Sequence, residues 1–323
     1  MPELPEVETI RRGLGKFILN KKIERVGVDF ARAFIGKVEE VEGAKVVGLR
    51  RRGKALLVDL DNEKTVMIHL RMTGQLIYRE DVLSEDLLSG RMDTLGVVGI
   101  AGKAPEGERT ATYNELMEHQ FAAGHPSKNF MENLPNTQTR VIFEFAGGRL
   151  FFNDQRKFGF MKVLETEAVE QEKFIAELGK EPWEMTGAEL YEKCQRHKSA
   201  LIKAVLLDQK VIAGLGNIYA DESLFYAGVH PMRRAGSLSE EEVQKVLEGA
   251  CKVMTASIES GGSTMATYVR PDGTTGDYLE KFAQVFRKEG TPCPRCGETI
   301  VKIRVAGRGT HVCPACQTHG EGV

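Results

Sequence analysis

The chain has 323 residues, enough for two or three domains with cores of their own. Its 44 basic and 46 acidic side chains nearly cancel, giving a net charge of −2 and a sequence pI near 6.4. That excludes a uniformly basic nucleic-acid binder and moves the question to where the charge sits. No apolar run approaches the roughly 18 residues of a membrane span. The acidic, proline-broken start lacks the basic and apolar stretches of a secretory signal, so a cytosolic protein is expected.

Met1-Pro2-Glu3-Leu4-Pro5-Glu6 opens the chain. Val7, Ile10 and Leu14 follow at helical spacing, so residues 3–15 read as an amphipathic helix, weakened slightly by Gly13. Proline and glutamate are what any helix start prefers. The same residues also carry chemistry. With Met1 removed, Pro2 exposes a secondary amine, and an α-amino group with a pKa of about 7.7–8 is partly neutral and nucleophilic near pH 7. It can attack an electrophilic carbon and leave a cationic imine. Glu3 and Glu6 lie on one helical face in the first turn, placed for acid/base work beside that amine.

Short apolar, β-branched runs follow at 44–49, 54–60, 65–70, 140–145, 149–153 and 158–164, separated by turns such as Asp61-Asn62 and Gly147-Gly148. They predict a β-rich half, two packed sheets with the first helix against them. Between the third and fourth runs, residues 79–138 are an atypical, poorly patterned insert. Positions 80–138 hold ten acidic and four basic side chains, which leaves the rest of the chain with a basic balance. Basic clusters occur at Arg50-Arg51-Arg52-Gly53-Lys54 and Arg156-Lys157, each a solvated face or a phosphate contact.

From about Val169 the pattern turns helical, with helices expected over 171–178, 187–195, 199–207, 218–226 and 239–258. Ser239-Glu240-Glu241-Glu242 reads as a capping-box start. Gly214-Leu215-Gly216-Asn217 is either a helix–helix turn or a hairpin whose amides and Asn217 side chain hold a phosphate. Gly261-Gly262-Ser263-Thr264 and Pro271–Gly276 bracket a loop. Cys194 and Cys251 sit alone in helical stretches and read as buried, inert thiols. Cys293 and Cys296, then Cys313 and Cys316, form two CxxC knuckles, the spacing of a structural four-cysteine zinc site. Disulfides are the alternative. The segments 299–305 and 309–313 would make a hairpin presenting Arg308, with Lys302 and Arg304 beside it, suited to a nucleic-acid backbone.

The start Pro2-Glu3-Leu4-Pro5-Glu6-Val7-Glu8-Thr9, the segment Gly214–Glu222 and the terminal knuckles occur together in this order. That combination resembles the bacterial formamidopyrimidine-DNA glycosylases, which excise oxidised purines and nick the strand. Arg52-Gly53-Lys54, His69–Gly74, Asn153–Gly159 and Leu206–Gln209 support it, and the match covers the chain except for the insert. The resemblance implies an α+β, multidomain fold. It comprises an N-terminal catalytic β-sandwich with a leading helix over 1–165, a helix-two-turn-helix domain over 169–260, a lesion-covering loop and connection over 261–284, and a zinc finger over 285–318. It implies Pro2 as nucleophile, Glu3 as the acid that opens the sugar ring, Glu6 in support, and Lys54 on the damaged nucleotide. His69, Asn217 and Arg308 would hold phosphates. Met72, Arg156 and Phe158 would fill the void left by an everted base. It further implies successive β- and δ-elimination through the Pro2 imine, one structural zinc ion, no organic cofactor, and no membrane partner. The implied substrate is double-stranded DNA carrying oxidised bases or abasic sites, acted on by a monomer in the bacterial cytoplasm at the nucleoid.

Two positions depart from the family pattern. Gln155 stands where proline is usual, and Arg287 where glycine is usual. The rival readings are an endonuclease VIII-like glycosylase for oxidised pyrimidines and a zinc-ribbon nucleic-acid-binding protein without catalysis. Leu4, Val7 and the Met72, Arg156 and Phe158 set favour the purine enzyme over the first. The Pro2-Glu3 start argues against the second.

Overall fold

A computed structural model describes residues 2–81, 120–124, 134–262 and 278–318. These fall into two compact bodies. One holds residues 2 and 7–169, the other residues 3–6, 170–262 and 278–318. Residues 263–277 of the expected lesion-covering loop and connection (261–284), and most of the acidic insert, lie outside the described residues.

The first body takes helix α1 (Leu4–Ile18) from Val7 onward. Val7, Ile10, Leu14 and Ile18 recur every three to four residues, and all are buried in one core. Two five-stranded sheets supply the rest. In chain order the strands are β1 (Ile23–Val28), β2 (Phe34–Ile35), β3 (Val46–Arg52), β4 (Ala55–Leu60), β5 (Lys64–His69), β6 (Gly74–Glu80), β7 (Gln120–Gly124), β8 (Thr139–Phe145), β9 (Gly148–Asp154) and β10 (Phe160–Glu165). One sheet has the order β1-β8-β9-β6-β7, the other β2-β10-β5-β4-β3. Alternate residues such as Leu56 and Val58 on β4, and Val141, Phe143 and Phe145 on β8, enter the same core.

Four strands were not anticipated: β1, the two-residue β2, β6 and β7. The insert was expected to be unpatterned, yet it contributes β7, an edge strand paired to β6. Its Phe121 is buried and enters the core. Gly13, which weakens α1 locally, has its reason here, because a Cβ at that position would lie 2.3 Å from the Phe121 ring.

The second body is helical, with α2 (Lys173–Ala176), α3 (Gly187–Arg196), α4 (Ile202–Leu207), α5 (Asn217–Ala227) and α6 (Glu240–Glu259). The helix expected over 171–178 shrinks to the four residues of α2 after a 3-10 stretch, and that expected from 199 starts at Ile202. Ser239 and Glu242 close the anticipated capping box at the start of α6, and Thr186 with Glu189 does the same for α3. Leu4, Ile202, Leu215, Tyr219, Leu224, Val246 and Met254 share the core. Every residue of α5 from Tyr219 to Phe225 is buried, so its acidic members must find partners inside the protein.

Strands β11 (Val301–Val305) and β12 (Arg308–Val312) form the C-terminal hairpin. Its two turn residues, Ala306 and Gly307, both have positive φ, 49° and 75°, the handedness that suits a two-residue hairpin loop. Among the described residues, no helix is long and apolar enough to cross a membrane.

Candidate active site and nucleic-acid interface

In the helical body, the first turn of α1 docks on the segment leading into α5. The Glu3 carboxylate accepts a hydrogen bond from the Ile218 amide, 3.1 Å away, at the positive end of α5. Leu4 N–H donates to the Gly214 carbonyl at 3.1 Å. This contact explains both glycines of the 214–217 turn. A Cβ on Gly216 would lie 2.2 Å from the Glu3 carboxyl carbon, and one on Gly214, whose φ is +92°, would lie 2.3 Å from Leu4. Glu6 is locked from two sides: Oε2 accepts the Glu3 amide at 2.8 Å and Oε1 accepts the Tyr219 hydroxyl at 2.6 Å. Tyr219 in turn lies 2.6 Å from the Ser257 hydroxyl on α6. Burial, and then the charges of Glu6 and Glu3, push the Tyr219 hydroxyl well above its ordinary range, so it stays a proton donor at any working pH. The amide that Glu6 holds belongs to the peptide bond following Pro2.

Residues 217–222 also secure the C-terminal hairpin. Asn217 Nδ2 donates to the Gly309 carbonyl at 2.9 Å, next to exposed Arg308, while Asn217 Oδ1 is buried without a hydrogen-bond partner. Asp221 accepts from Lys203 Nζ at 2.5 Å and from the His311 amide at 2.9 Å; Lys203 also donates to Thr310 Oγ1 at 2.6 Å. Lys203 and Asp221 are fully buried, so removing either would strand a charge. Glu222 accepts three backbone amides, those of Gln284, Val285 and Phe286, at 2.8–3.0 Å. Burial raises its pKa and the three donors oppose that rise.

The four knuckle sulfurs lie within 4.8 Å of one another, with Cys293–Cys316 at 3.9 Å and Cys296–Cys313 at 3.5 Å. Tetrahedral Zn–S bonds of about 2.3 Å set sulfurs about 3.8 Å apart, so the cluster fits one zinc ion. The Arg295 and Cys316 amides point at the Cys293 and Cys313 sulfurs, as thiolate ligands require. No substrate-accepting position remains in a four-cysteine shell, so the metal is structural. The other two cysteines differ. Cys194 is buried and its thiol is pushed up to about 11 by burial, whereas Cys251 is only half-buried.

In the β-sheet body, Lys54 sits in the β3–β4 turn after Gly53, whose φ is +54°, and is 5% exposed. The basic cluster before it is not a row of free phosphate contacts. Arg50 forks onto Asp59 at 2.6 and 2.9 Å, and Arg51 points inward to Glu8 at 3.3 Å. His69, at the end of β5, accepts the Arg71 amide on Nδ1 at 3.0 Å. Its pKa falls to about 3 through burial, with the charges of Arg71 and Lys54 adding to the fall. The ring is therefore neutral near pH 7, and with Nδ1 accepting, Nε2 carries the hydrogen and can donate.

Met72, Arg156 and Phe158 come together on the surface. Arg156 Nη1 reaches Met72 Sδ at 3.1 Å, and its guanidinium lies 4.9 Å from the Phe158 ring centre. Met72 is 39% and Phe158 55% exposed, unusual for side chains of that size unless something covers them. Their organiser is Asp154, a buried residue not singled out from sequence. Its Oδ2 accepts the Phe158 and Gly159 amides at 2.7 and 2.6 Å, and its Oδ1 accepts the Arg156 amide at 3.2 Å and the Thr73 hydroxyl. One carboxylate thus ties the Met72 corner to the Arg156–Phe158 loop. Gln155 in place of proline leaves this register intact.

An enzyme that works on a base inside a duplex must take the base out of the stack and fill the space behind it. The flexible, apolar Met72, with Arg156 and the exposed ring of Phe158 tied to its corner through Asp154, has the composition that such a task needs. The class so defined is a base-excising DNA glycosylase. Residues 1–161 match the formamidopyrimidine-DNA glycosylase N-terminal domain, 178–269 the H2TH domain of the same enzymes, and 290–318 the zinc finger found in FPG and IleRS. A relative from Desulfitobacterium hafniense named formamidopyrimidine-DNA glycosylase is 36% identical, covering 98% of this chain and 100% of its own. The Lactococcus lactis Fpg solved with abasic-site DNA superposes with a TM-score of 0.76 at 29% identity, over 98% of this chain and 99% of that one. The same L. lactis protein, solved with DNA containing an oxidised pyrimidine, gives 0.76 at 30% identity over the same shares. The chain belongs to the formamidopyrimidine-DNA glycosylase family.

Proposed function

We propose that the protein removes oxidised purines, 8-oxoguanine and formamidopyrimidines, from duplex DNA and cuts the resulting abasic strand through an imine on Pro2. Removal of Met1 exposes the Pro2 amine. The amine attacks the sugar's anomeric carbon, the bond to the damaged base breaks, and a cationic imine forms. The imine acidifies the neighbouring sugar proton, and loss of the 3′ and then the 5′ phosphate follows by β- and δ-elimination. Glu3 acts as the acid that opens the sugar ring and then shuttles protons, with Glu6 in support. Lys54 contacts the damaged nucleotide. His69, Asn217 and Arg308 hold backbone phosphates; a neutral imidazole N–H is adequate for His69 because phosphate needs a donor and not necessarily a charge. Met72 and Phe158 wedge the stack and Arg156 pairs with the orphaned cytosine. A single chain carries every group the reaction requires, in the compartment that holds the chromosome.

The observation that carries this reading is the seat of Glu3: a buried carboxylate, one peptide bond from Pro2, held on a helix-start amide at 3.1 Å. Nothing in a non-catalytic zinc-ribbon protein calls for it. Incubation with a duplex bearing 8-oxoguanine opposite cytosine, with borohydride to reduce the imine, should give a covalent adduct mapping to Pro2. Without borohydride it should give nicked product. An adduct only with oxidised-pyrimidine DNA would move the protein's preference to the endonuclease VIII-like range. Tight binding with no adduct on either would remove the mechanism.

A further inference from the structure

Glu8, two residues after Glu6 on α1, has no part in the chemistry above. It is 8% exposed and faces three arginines. Oε1 accepts from Arg11 at 2.8 Å and Arg12 at 2.7 Å, and Oε2 accepts from Arg11 at 2.9 Å and Arg51 at 3.3 Å. Arg11 and Arg12 sit at i+3 and i+4 on the same helix and would satisfy the carboxylate by themselves. Arg51 comes from β3, forty-three residues away, and its side chain is 12% exposed. Its other arm, Nη1, donates to the Gly53 carbonyl at 3.1 Å. That carbonyl belongs to the peptide bond entering Lys54, in a turn that leaves the extended region at Gly53, where φ is +54°.

We propose that Glu8 and Arg51 form a clamp that positions Lys54 against the helix carrying Pro2. The inference rests on the reading of Lys54 as a group that touches the damaged nucleotide. Glu8 and Arg51 are positioning residues: one guanidinium holds a helix carboxylate with Nε and a turn carbonyl with Nη1, so the turn cannot rotate without breaking a buried charge pair. The device requires a planar fork. Lysine supplies one point charge and cannot reach both acceptors in fixed geometry. A lysine side chain is long and flexible, and its ammonium is only as well placed as the peptide unit it grows from. A displacement of about 1 Å at a reacting group costs up to roughly a hundredfold in rate.

The test uses the full-length zinc-loaded protein. Single-turnover excision from an 8-oxoguanine duplex is measured per competent molecule, counted by borohydride trapping, so that any misfolded fraction drops out. Duplex dissociation constants are measured alongside. Arg51→Lys should slow excision roughly tenfold or more and leave the dissociation constant within about twofold. Arg12→Ala removes a charge from the same carboxylate without touching the turn and should excise at the wild-type rate. In a Lys54→Ala background, Arg51→Lys should cause no further loss, because the clamp acts only through that lysine. Equal losses in Arg51→Lys and Arg12→Ala would show that charge around Glu8 matters and the clamp does not. A loss confined to affinity, or one of equal size in both Lys54 backgrounds, would also overturn the proposal. If Lys54→Ala leaves no measurable excision, the Arg12 comparison and the split between rate and affinity decide. Wild-type excision by Lys54→Ala would instead sink the catalytic reading of Lys54, a result distinct from any failure of Arg51.

Discussion

Gly216→Ala isolates the role of the Glu3 seat. The backbone at Gly216 is extended, with φ −133° and ψ −158°, so alanine meets no conformational penalty there. Its only consequence is steric. The new Cβ would lie 2.2 Å from Glu3 Cδ and 2.5 and 2.6 Å from its two oxygens, against ordinary contacts of 3.4–4 Å. The carboxylate must therefore withdraw by about 1 Å, which stretches its 3.1 Å bond to the Ile218 amide beyond hydrogen-bond range. A lost hydrogen bond to a charged acceptor is worth about 1.5–3 kcal/mol. At a reacting group the same displacement corresponds to roughly tenfold to a hundredfold in rate, or about 1.4–2.7 kcal/mol of barrier. The atoms displaced are the end of a flexible side chain, so the fold should yield little. Gly214→Ala is the contrasting variant. Its φ of +92° disfavours alanine, and its Cβ would strike Leu4, which is fully buried. Melting temperature and single-turnover excision, measured together, should separate the pair, Gly216→Ala losing rate and Gly214→Ala losing stability. A Gly216→Ala protein that excises 8-oxoguanine at the wild-type rate would refute the assignment of Glu3's position to catalysis.

Four further outcomes follow from the geometry. Asp154→Asn leaves one good acceptor where two oxygens serve four donors, so the loop bearing Arg156 and Phe158 should loosen. Excision from duplex should slow while cleavage of a single-stranded abasic oligonucleotide is kept, and equal loss on both substrates would contradict the wedge assignment. Arg287 is exposed at φ +59°, a conformation that costs a non-glycine residue about 1–2 kcal/mol, part of which glycine gives back in chain entropy; Arg287→Gly should raise stability by about 0.5–1 kcal/mol in chemical denaturation. Zinc removal by a chelator should release one ion per chain and abolish DNA retention in a gel-shift assay, because the small apolar cluster beside the knuckles, Phe225, Val285, Cys293, Ile300 and Cys313, itself includes two of the ligand cysteines. Burial alone would raise the Glu8 carboxyl, but hydrogen bonds from Arg11 and Arg12 and the charges of Arg11 and Arg51 outweigh it and hold its pKa at about 2, below the usual 4.5. That lowered value contributes stability above about pH 4.5, at most about 3 kcal/mol, which is lost as pH falls toward 2; the melting difference between wild type and Glu8→Gln should shrink over that window.

The parts of the fold legible in sequence were those that repeat locally. The 3.6-residue pattern of α1, the alternation in β4 and β8, the capping box at Ser239 and the CxxC knuckles all carry their signal within a few residues. The missed strands lack such a signal. Ile23–Val28 reads IERVGV, with charge and glycine breaking the alternation, and it pairs with β8 more than a hundred residues away. Phe34–Ile35 is too short to have a period and exists only by parallel pairing with β10. Phe121 lies in the acidic insert, and its burial is foretold only by the glycine it presses against in α1. The site divides the same way. The resemblance named Pro2, Glu3, Lys54 and the wedge residues by motif. Asp154 stood in a quoted motif without a role, because a carboxylate that braces a loop through backbone amides looks, in sequence, like any turn aspartate.

The segment Gly214–Glu222 shows why a short motif can carry so much of a structure. Gly216 makes room for Glu3, and the Ile218 amide receives it; Gly214 makes room for Leu4, and the Tyr219 hydroxyl holds Glu6. Asn217 and Asp221 hold β12, and Glu222 holds residues 284–286, which lead into the zinc site. Seven contacts thus reach in two directions from the turn at 214–216 and the first two turns of α5. None involves a residue within fifty positions of the motif, so propensity and periodicity are silent about them. Burial explains the composition. A helix enclosed on all sides ought to be apolar, and acidic side chains persist within it only where each is satisfied by a buried cation or by backbone amides. Asp221 meets Lys203 and the His311 amide, and Glu222 meets three amides. Replacing either by an apolar residue would leave Lys203 or those amides unpaired in the interior, a larger cost than the desolvation it relieves. The same few residues therefore fix the proposed acid group and the zinc hairpin through one rigid element, which couples the chemistry at Glu3 to the placement of Arg308 without any moving part.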